Sequence, residues 1–493
     1  MTAFGFVIDQ RRCIGCHACT VACKAENEVP VGDFRTWVKY TEKGSYPTVK
    51  RHFTVLRCNH CDAAPCVEIC PVGALHKRPD AIVDLDRDLC IGCSACMQAC
   101  PYDAIYLNED TGVAEKCHYC AHRTELGLEP ACVIVCPEEA IVSGDVADPD
   151  SKIASLIRDE PTSQRKLDKG TRPRVWYVDA LEESLVPGMA AEPESWIWSE
   201  RRRPPATVPG FESVPDLITT LNVDHPPAWG WHIWTYLLTK NIAAGAMLLA
   251  PFLGLLDVDA GVWPEWVALV FLGITSFLLV HDLGRPERFL KILTHGNSRS
   301  WLVKGSYVLM VFGGLTTASL AARFAGLEQI SDLLRWLDLP AAALASGYSA
   351  FLFAQCKGRE LWLERGLFGH LILHAALCGA VVGMLLPRFS YEFHPLGWVA
   401  GALAFANLAW FDFERKRKTG PEAVRKARQL LYTSPAGRSA AGWLVLGSVA
   451  CAGAALFPFA NWLIGSVAAV ATFTGLFQYE RAWVKAGQEV AIS

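Results

Sequence analysis

Polar and apolar positions divide the chain into two unlike parts. Up to about residue 226 the sequence is polar and rich in cysteine and proline, whereas from Trp229 onward apolar runs alternate with short charged loops. Eight of these runs are close to the roughly 20 residues that a helix needs to cross a bilayer core. We predict transmembrane helices at 231–256, 264–281, 301–322, 336–356, 366–386, 396–412, 439–458 and 460–480.

The loops between the predicted helices carry their positive charge unevenly. Loops on the side of the polar part contain seventeen Lys and Arg residues, and loops on the opposite side contain three. Because positive loops stay in the cytoplasm, we expect the polar part on the cytoplasmic side of the inner membrane of a bacterial or archaeal cell. Met1–Asp9 also lacks the basic and apolar regions of a secretory signal. Arg11-Arg12 does not indicate a twin-arginine signal, since a cysteine motif follows at once.

The polar part holds sixteen of the nineteen cysteines, in four motifs. The motifs are Cys13-x2-Cys16-x2-Cys19-x3-Cys23, Cys58-x2-Cys61-x4-Cys66-x3-Cys70, Cys90-x2-Cys93-x2-Cys96-x3-Cys100 and Cys117-x2-Cys120-x11-Cys132-x3-Cys136. A proline follows the last cysteine of every motif except the first, where Lys24 takes its place.

This spacing is typical of ligands to [4Fe–4S] clusters. Three closely spaced thiolates on a tight loop each reach a different iron of one cube, and the fourth binds a neighbouring cube. Gly15 and Gly92 supply the small residue that lets a loop fold over a cluster. Cysteines so close together suit disulfides poorly, and a structural zinc needs only two pairs of ligands. We therefore predict four [4Fe–4S] clusters within residues 1–140, with all sixteen cysteines as metal ligands.

Stretches around these cysteines resemble the four-cluster electron-transfer subunits of molybdenum and tungsten oxidoreductases, such as the dimethyl sulfoxide, polysulfide and formate enzymes. The likeness is carried by Cys58-Asn59-His60-Cys61, Pro65-Cys66-Val67, Cys90-Ile91-Gly92-Cys93, Cys100-Pro101-Tyr102, Lys116-Cys117 and Pro130-Ala131-Cys132-Val133. The resemblance implies that one ferredoxin unit is inserted into another. It implies four ligand sets: Cys13, Cys16, Cys19 and Cys136; Cys117, Cys120, Cys132 and Cys23; Cys58, Cys61, Cys66 and Cys100; and Cys90, Cys93, Cys96 and Cys70.

The apolar part is similar to the membrane subunits of the polysulfide reductase (NrfD-like) family. The likeness is carried by His281-Asp282-Leu283-Gly284-Arg285-Pro286-Glu287-Arg288-Phe289, Asn297-Ser298-Arg299-Ser300-Trp301, Trp229-Gly230-Trp231 and Ala243-Ala244-Gly245-Ala246. The resemblance implies eight or more helices, no haem, and electron exchange with a quinone. One departure from the family pattern is Lys240-Asn241, where small residues are expected.

Ionisable and polar residues of the predicted helices lie mostly in the third of the membrane nearest the cluster domain. Each costs about 2.5–3.5 kcal/mol on insertion scales, so such residues usually line a site or a water path. A quinone site needs hydrogen-bond partners for the head group and titratable groups open to water. We predict His232 and Tyr236 as head-group contacts, and Asp282, Lys304, His370 and His374 as groups that deliver protons. The alternative is that these residues snorkel to the interface or satisfy helix ends.

His370 and His374 lie one turn apart on the same face of the fifth predicted helix. Paired histidines can ligate haem, but two axial ligands must lie on opposite sides of the iron. One-turn spacing on a single helix does not allow this arrangement, so we expect no haem.

The predicted architecture is an α+β duplicated cluster domain of the bacterial-ferredoxin type, followed by an all-α bundle of eight transmembrane helices. We place the four-cluster domain at 1–180, a Pro-rich linker at 181–228 and the membrane domain at 229–485. Val175–Val178 is a candidate strand. The net charge of −4 implies no polyanion partner, so nucleic acid binding is not expected.

Together these features predict a membrane-bound electron-transfer subunit that connects a quinone pool in the lipid bilayer to a separate catalytic subunit. The resemblance implies that this partner is a molybdopterin-type enzyme with molybdenum or tungsten. Two alternatives stay open: the same module could serve a hydrogenase or a nitrite reductase, or the chain could be a stand-alone ferredoxin–quinone oxidoreductase. A purely structural anchor is disfavoured, because sixteen ligand cysteines serve no purpose in a scaffold.

Overall fold

A computed structural model describes residues 2–191, 216–255, 260–385, 395–456, 461–490 and 492. The polar part folds into short strands and short helices, and the apolar part into long helices. This division agrees with the predicted α+β domain followed by a helical membrane region.

The first part contains eleven strands in the described residues: β1 (Phe4–Asp9), β2 (Thr36–Lys43), β3 (Lys50–Arg57), β4 (Leu75–Lys77), β5 (Val83–Leu85), β6 (Ile105–Asn108), β7 (Val113–Lys116), β8 (Ile141–Asp145), β9 (Thr162–Ser163), β10 (Val175–Val178) and β11 (Leu217–Leu221). Its helices are α1 (Ala18–Asn27), α2 (Pro65–Ile69), α3 (Ala95–Ala99), α4 (Ala121–Thr124), α5 (Ala131–Ile134), α6 (Lys152–Asp159) and α7 (Glu182–Leu185). The candidate strand at Val175–Val178 is confirmed as β10.

The inner cysteine motifs form a repeated unit. In each unit a short helix carries the third cysteine, which is Cys66 in α2 and Cys96 in α3. A two-stranded hairpin follows each helix, β4 with β5 and β6 with β7. The repeat is the internal duplication that the resemblance implies.

The outer motifs are brought together by strand pairing. β1 precedes the first motif and pairs antiparallel with β8, which follows the last motif, with Ile8 opposite Ile141. β1 also pairs parallel with β10, in a sheet of order β8-β1-β10-β9. The beginning and the end of the cysteine-rich region therefore lie side by side, around the inner units.

The predicted linker 181–228 contributes to the first domain. Its strand β11 pairs antiparallel with β2, in a sheet of order β11-β2-β3. Residues 192–215, which make up much of this linker, lie outside the described residues.

The second part contains the helices α8 (Trp231–Leu255), α9 (Trp263–His281), α10 (Lys291–Thr294), α11 (Trp301–Phe324), α12 (Glu328–Ala354), α13 (Leu367–Met384), α14 (Pro395–Lys416), α15 (Glu422–Thr433), α16 (Pro435–Leu456) and α17 (Asn461–Glu489). Each of the eight predicted segments coincides with a long helix. In the described part of the chain, seven helices are long and apolar enough to cross a membrane, and α17 is the long helix outside that set.

Helices α12 and α17 extend furthest beyond their predicted bounds, and both contain charged residues that have partners. α12 begins at Glu328 instead of 336, and its Arg335 pairs with Glu265 of α9 at 2.7 Å. Both side chains are almost completely buried. α17 continues to Glu489 instead of ending at 480, so Glu480 lies well inside the helix. A hydropathy pattern treats such residues as the ends of apolar runs, since the pattern does not register their partners.

The two domains pack directly against each other. The loop after α9 donates two backbone hydrogen bonds to the third cysteine motif, from Gly284 to the carbonyl of Gly92 and from Arg285 to that of Ile91, each 3.1 Å long. A Cβ on Gly284 would lie 2.3 Å from the carbonyl oxygen of Gly112. Only a glycine allows this approach, which gives the Asp-Leu-Gly-Arg-Pro stretch its physical reason.

The end of α17 also binds the cluster domain. Gln488 accepts a 2.8 Å hydrogen bond from the Gln98 side chain and a 3.0 Å bond from the backbone of Trp229. The indole of Trp229 donates to the carbonyl of Cys93 at 3.3 Å. Helix α17 and the start of the membrane domain are thereby fixed beside the third motif.

Candidate metal centres and membrane site

The cysteines of the outer motifs line two cavities. The first cavity is lined by group 1, which consists of Cys13, Cys16, Cys19 and Cys136. The second is lined by group 2, which consists of Cys23, Cys117, Cys120 and Cys132. The fourth cysteine of each outer motif has crossed to the other motif, as in the ligand sets that the resemblance implies.

The inner cysteines gather in the same crossed manner. We call two side chains electrostatic neighbours when they lie close enough for the charge of one to shift the pKa of the other. Cys66 has Cys58, Cys61 and Cys100 as electrostatic neighbours, and these four form group 3. Cys96 has Cys70, Cys90 and Cys93 as electrostatic neighbours, and these four form group 4.

The four groups follow one another from the protein surface to the membrane domain. Group 1 meets group 2 through the neighbours Cys19 and Cys132, and group 2 meets group 3 through Cys117 and Cys58. Group 3 meets group 4 through Cys66 and Cys96. At one end of this series Cys16 is exposed. At the other end Cys93 is an electrostatic neighbour of Asp282, in the loop after α9.

The surroundings of the thiols suit bound thiolates. Backbone N–H groups point at the sulfur atoms, for example from Ala140 to Cys136 at 3.2 Å and from Tyr119 to Cys117 at 3.4 Å. Gly15 and Gly92 have φ of 71° and 70°, the left-handed conformation in which glycine is unstrained. Such N–H donors stabilise sulfur that carries negative charge, as the sulfur ligands of a cluster do.

The separation of the sulfur atoms favours a cluster over a single ion. A zinc ion with Zn–S bonds of about 2.3 Å needs its sulfur ligands roughly 3.8 Å apart. Across the residues that the structure describes, no three His, Cys, Asp or Glu side chains converge closely enough to hold one metal ion. Four thiols around a shared cavity, as in groups 1 and 2, suit a cube of iron and sulfide instead.

Two buried cations lie between the groups. Arg57 is almost completely buried and donates to the sulfur of Cys132 at 3.4 Å. It is an electrostatic neighbour of Cys19 as well, so its charge is shared by groups 1 and 2. Lys116, also buried, donates to the carbonyl of Cys117 at 2.7 Å and is an electrostatic neighbour of Cys58. Both cations offset negative charge at places where two groups meet.

In the membrane domain, His232 and Asp282 lie beside group 4. His232 Nδ1 is 2.9 Å from Asp282 Oδ1, and its Nε2 is 2.9 Å from His281 Nδ1. Burial raises the pKa of Asp282 to about 7. His232, predicted as a head-group contact, and Asp282, predicted to deliver protons, are therefore in direct contact, with His281 as a third member that was not predicted.

A second set of ionisable residues lies buried between α8, α13, α14 and α17. His374 Nδ1 is 3.2 Å from Glu480 Oε1, and His374 packs against His370 with ring centroids 4.2 Å apart. The ring of Tyr479 lies 5.3 Å from that of His370, and its hydroxyl donates to Glu414 at 3.2 Å. These residues form a continuous polar series from Glu414, at the end of α14, into the buried interior.

Tyr236 lies between the two sets, and Lys304 lies apart from both. Tyr236 is buried and is an electrostatic neighbour of both Asp282 and Glu480. Its hydroxyl is 3.5 Å from Ser349, which also accepts a 2.5 Å bond from Lys240. The ammonium of Lys304 is exposed over the ring of Trp301, 4.8 Å from its centroid.

Family models agree with the division of the chain into a cysteine-rich part and an apolar part. Residues 4–25 match the 4Fe-4S binding domain model, and residues 49–146 match the 4Fe-4S dicluster domain model. Residues 220–411 match the model called polysulphide reductase, NrfD.

Three relatives resemble the cysteine-rich part of the chain. The putative dimethyl sulfoxide reductase iron-sulfur subunit of Halobacterium salinarum is 38% identical over 251 residues, which are 44% of this chain and 96% of the relative. A subunit of the tetrathionate reductase of Salmonella typhimurium is 41% identical, covering 40% of this chain and 80% of the relative. A component of the polysulfide reductase of Wolinella succinogenes is 39% identical, covering 36% of this chain and 93% of the relative.

The chain belongs to this family of reductase iron–sulfur subunits, fused to an NrfD-type membrane part. The fusion joins in one polypeptide a 4Fe-4S-binding domain and a multi-pass membrane protein. Both resemblances drawn from the sequence are confirmed.

Four ionisable residues of the membrane domain were not predicted as site residues: Lys240, Glu480, Tyr479 and Glu414. Lys240 stood out only as a departure from the family pattern, yet it is an electrostatic neighbour of Glu480 and bonds to Ser349. Glu480 fell on the predicted end of its helix, which is the usual place for a solvated charge. A search for ionisable residues within one turn of each predicted helix end would have found Glu480 and Glu414.

Proposed function

We propose that the fusion carries electrons between a membrane quinone pool and a separate molybdenum or tungsten pterin subunit, through four [4Fe–4S] clusters. The observation that carries this proposal is the unbroken series of thiol groups from exposed Cys16 to Asp282. A series with one end at the surface and the other at a membrane site serves transport of electrons, since the cysteines leave no open position for a substrate. The bound clusters would supply the reversible one-electron chemistry.

In this proposal groups 1 to 4 are the four ligand sets. The sixteen cysteines would hold the clusters, and the neighbouring N–H donors and cations would set the reduction potentials of the clusters. Burial raises the pKa of the Cys100 thiol to about 11 and that of Cys19 to about 11. Free thiols at these sites are therefore neutral at pH 7, and cluster binding releases their protons.

Arg57→Gln is expected to lower the midpoint potential of the cluster in group 2. Reduction adds negative charge, and the buried cation that offsets this charge would be gone. A redox titration followed by electron paramagnetic resonance measures the shift, with Arg57→Lys retaining most of the potential. The control is Arg51→Gln on the same strand, where the arginine is exposed and pairs with Glu42. Unchanged potentials in Arg57→Gln would remove the assigned role of this cation.

The exposed end of the series suits a protein partner. Ile14 lines the cavity of group 1, and Val21 and Ile134 lie two residues from its cysteines Cys19 and Cys136. All three are more than half exposed, at 55%, 64% and 56%. Exposed apolar residues grouped around one centre mark an interaction surface. We place the molybdopterin-type catalytic subunit there, as the named reductase relatives support. Metal analysis of the purified complex distinguishes this partner, with molybdenum or tungsten, from a hydrogenase, with nickel.

The membrane end suits a quinone. Oxidation of a quinol releases two protons and two electrons, so the head group needs proton acceptors beside the last cluster. His232 and Tyr236 would contact the head group, and Asp282 would take the first proton. His370 and His374, with Glu480, would connect this region to water near Glu414. The role of Lys304 in proton delivery, from the bilayer side, stays a prediction.

The test uses the purified full chain. Mixing it with a reduced quinol analogue under anaerobic conditions should bleach the cluster absorbance, and iron analysis should give about sixteen irons, four for each cube. A chain that holds its iron and stays oxidised would contradict the quinone link. Reduction by reduced ferredoxin at a similar rate, with no catalytic subunit present, would favour the stand-alone oxidoreductase. A flat reduced-minus-oxidised spectrum in the Soret region is expected, since we propose no haem.

We also propose eight membrane spans, with α17 as the eighth, and the cluster domain on the cytoplasmic side of the inner membrane. We keep the domain bounds 1–180, 181–228 and 229–485 as a proposal, with strand β11 of the linker segment paired to the first domain. An even number of spans returns Ser493 to the side of the cluster domain. A reporter fused after Ser493 should be active in the cytoplasm, and activity outside it alone would overturn this orientation.

A further inference from the structure

A crevice of about 440 Å³ opens between the end of α15, the start of α16 and the last turns of α17. Its polar lining residues are Ser434, Ser439, Gln478, Arg481, Lys485 and Glu489. None of them belongs to the thiol groups or to the two sets of ionisable residues described above. The crevice is a separate feature of the membrane domain.

The crevice lies at the cluster-domain face of the membrane. Gln488, one residue before Glu489, bonds to Gln98 of the cluster domain. α15 is amphipathic, with Val424, Ala427 and Leu431 buried, and its buried Arg428 pairs with Glu364. This is the level at which lipid head groups meet the protein.

Four of the polar side chains that line the crevice have no partner among the described residues of the protein. In the described ranges, Ser439, Gln478, Arg481 and Lys485 form no hydrogen bond or ion pair through their side chains. Some other cations on this face are paired, as Arg428 is with Glu364 and Lys416 with Asp412. Two unpaired cations that line one cavity can both donate charge-assisted hydrogen bonds to an anion from outside the chain.

Helix α16 strengthens the preference for an anion. It begins at Pro435, on the crevice wall, and the Ser434 hydroxyl accepts a 3.1 Å bond from the Gly437 N–H. A helix N-terminus carries a partial positive charge. With Arg481 and Lys485 positive and Glu489 negative, the net charge of the crevice matches one singly charged phosphate diester.

Below the polar lining, the wall becomes apolar toward the bilayer. Trp443 and Leu446 follow Ser439 by one and two helical turns, and both expose much of their side chains, at 36% and 45%. A head group in the crevice would therefore leave its acyl chains along this face of α16. Inorganic phosphate has no acyl chains that could pack against such a surface.

We propose that this crevice is a binding site for the phosphate of an anionic phospholipid. Basic pockets between transmembrane helices on the cytoplasmic side bind such head groups in other membrane proteins. The lipid would join α15, α16 and α17, the helices that carry the Gln488 contact to the cluster domain. The proposal needs only the membrane domain and does not depend on the quinone.

The test is native mass spectrometry of the full chain in detergent, titrated with phosphatidylglycerol, phosphatidylcholine or inorganic phosphate. The chain should bind one phosphatidylglycerol in preference to phosphatidylcholine. Arg481→Gln with Lys485→Gln should weaken this binding at least tenfold, and Arg481→Lys with Lys485→Arg should retain it. An unchanged cluster spectrum in both double variants shows that they are folded.

The matched control is Arg365→Gln with Lys418→Gln, which removes the same charge from exposed positions on the same face, outside the crevice. Equal loss of lipid binding in this control would mean that any two positive charges on this face attract the lipid, and it would overturn the proposed site. Inorganic phosphate that displaces the lipid at similar concentration would overturn the lipid as its ligand. Retention of lipid by the Gln double variant, with loss of a co-purifying subunit, would assign the crevice to a protein partner instead.

Discussion

Asp282→Asn is expected to slow quinol-driven reduction of the clusters about 100-fold, because a positioned proton acceptor is commonly worth that much or more. Asparagine keeps the size of the side chain and can still bond to His232, 2.9 Å away in the native protein. It cannot take a proton from the head group. Stopped-flow absorbance of the clusters measures the rate, and iron content shows that the clusters are intact.

The pH dependence of the same reaction separates a proton acceptor from a structural residue. Burial raises the pKa of Asp282 to about 7, so the carboxylate form that accepts a proton dominates above pH 7. The rate of quinol oxidation should rise as pH increases through 7 and then level off. Quinone reduction, which needs the protonated carboxyl, should fall over the same range.

Asp282→Asn should remove this dependence in both directions. Asp412→Asn is the control, because Asp412 is a carboxylate on the same membrane face that pairs with Arg415 and Lys416. An Asp282→Asn variant that keeps the native rate and pH profile would show that the proton leaves the quinol by another route. His374 and Glu480 would then become the first residues to test.

Gly284→Ala is expected to disturb the contact between the two domains. The added Cβ would lie 2.3 Å from the carbonyl oxygen of Gly112, so one of the two loops must move. Overpacking of this kind typically costs about 1–3 kcal/mol. The expected results are a lower midpoint of thermal unfolding and slower transfer from quinol to group 4. Both follow from strain and separation at the same contact.

Gly273→Ala is the matched control, because a Cβ there meets no atom within 4 Å. It should leave stability and electron transfer unchanged, or raise stability slightly through helix propensity. Equal behaviour of the two variants would mean that the Gly284 loop does not set the distance between the cluster domain and the membrane site.

The spacing of the cysteines predicted three of the four members of each group, although in group 2 these three span Cys117–Cys132. The crossing of Cys23, Cys70, Cys100 and Cys136 came only from the family resemblance. In the structure it follows from the pairing of β1 with β8 and from the repeated inner units. Long-range pairing of this kind has no local sequence signal.

The membrane site was predicted in part. His232 and Asp282 were selected because ionisable residues are rare within apolar runs, and the structure places them in contact. Glu480 was missed because its partner, His374, lies more than a hundred residues earlier in the chain. Hydropathy placed the start of α12 and the end of α17 at the limits of their apolar runs. Both helices continue beyond these limits, and the added part of α12 contains Arg335, which pairs with Glu265.

The nested arrangement of the groups has a consequence for biogenesis. All eight cysteines of groups 3 and 4 lie between Cys58 and Cys100, whereas groups 1 and 2 need cysteines as late as Cys136 and Cys132. A chain emerging from the ribosome therefore completes the membrane-proximal half of the series first. The cysteines of groups 1 and 2 come together last, after β8 has been made and can pair with β1. The sets of cysteines are thus completed from the membrane-proximal groups outward, and the membrane helices are made only afterwards.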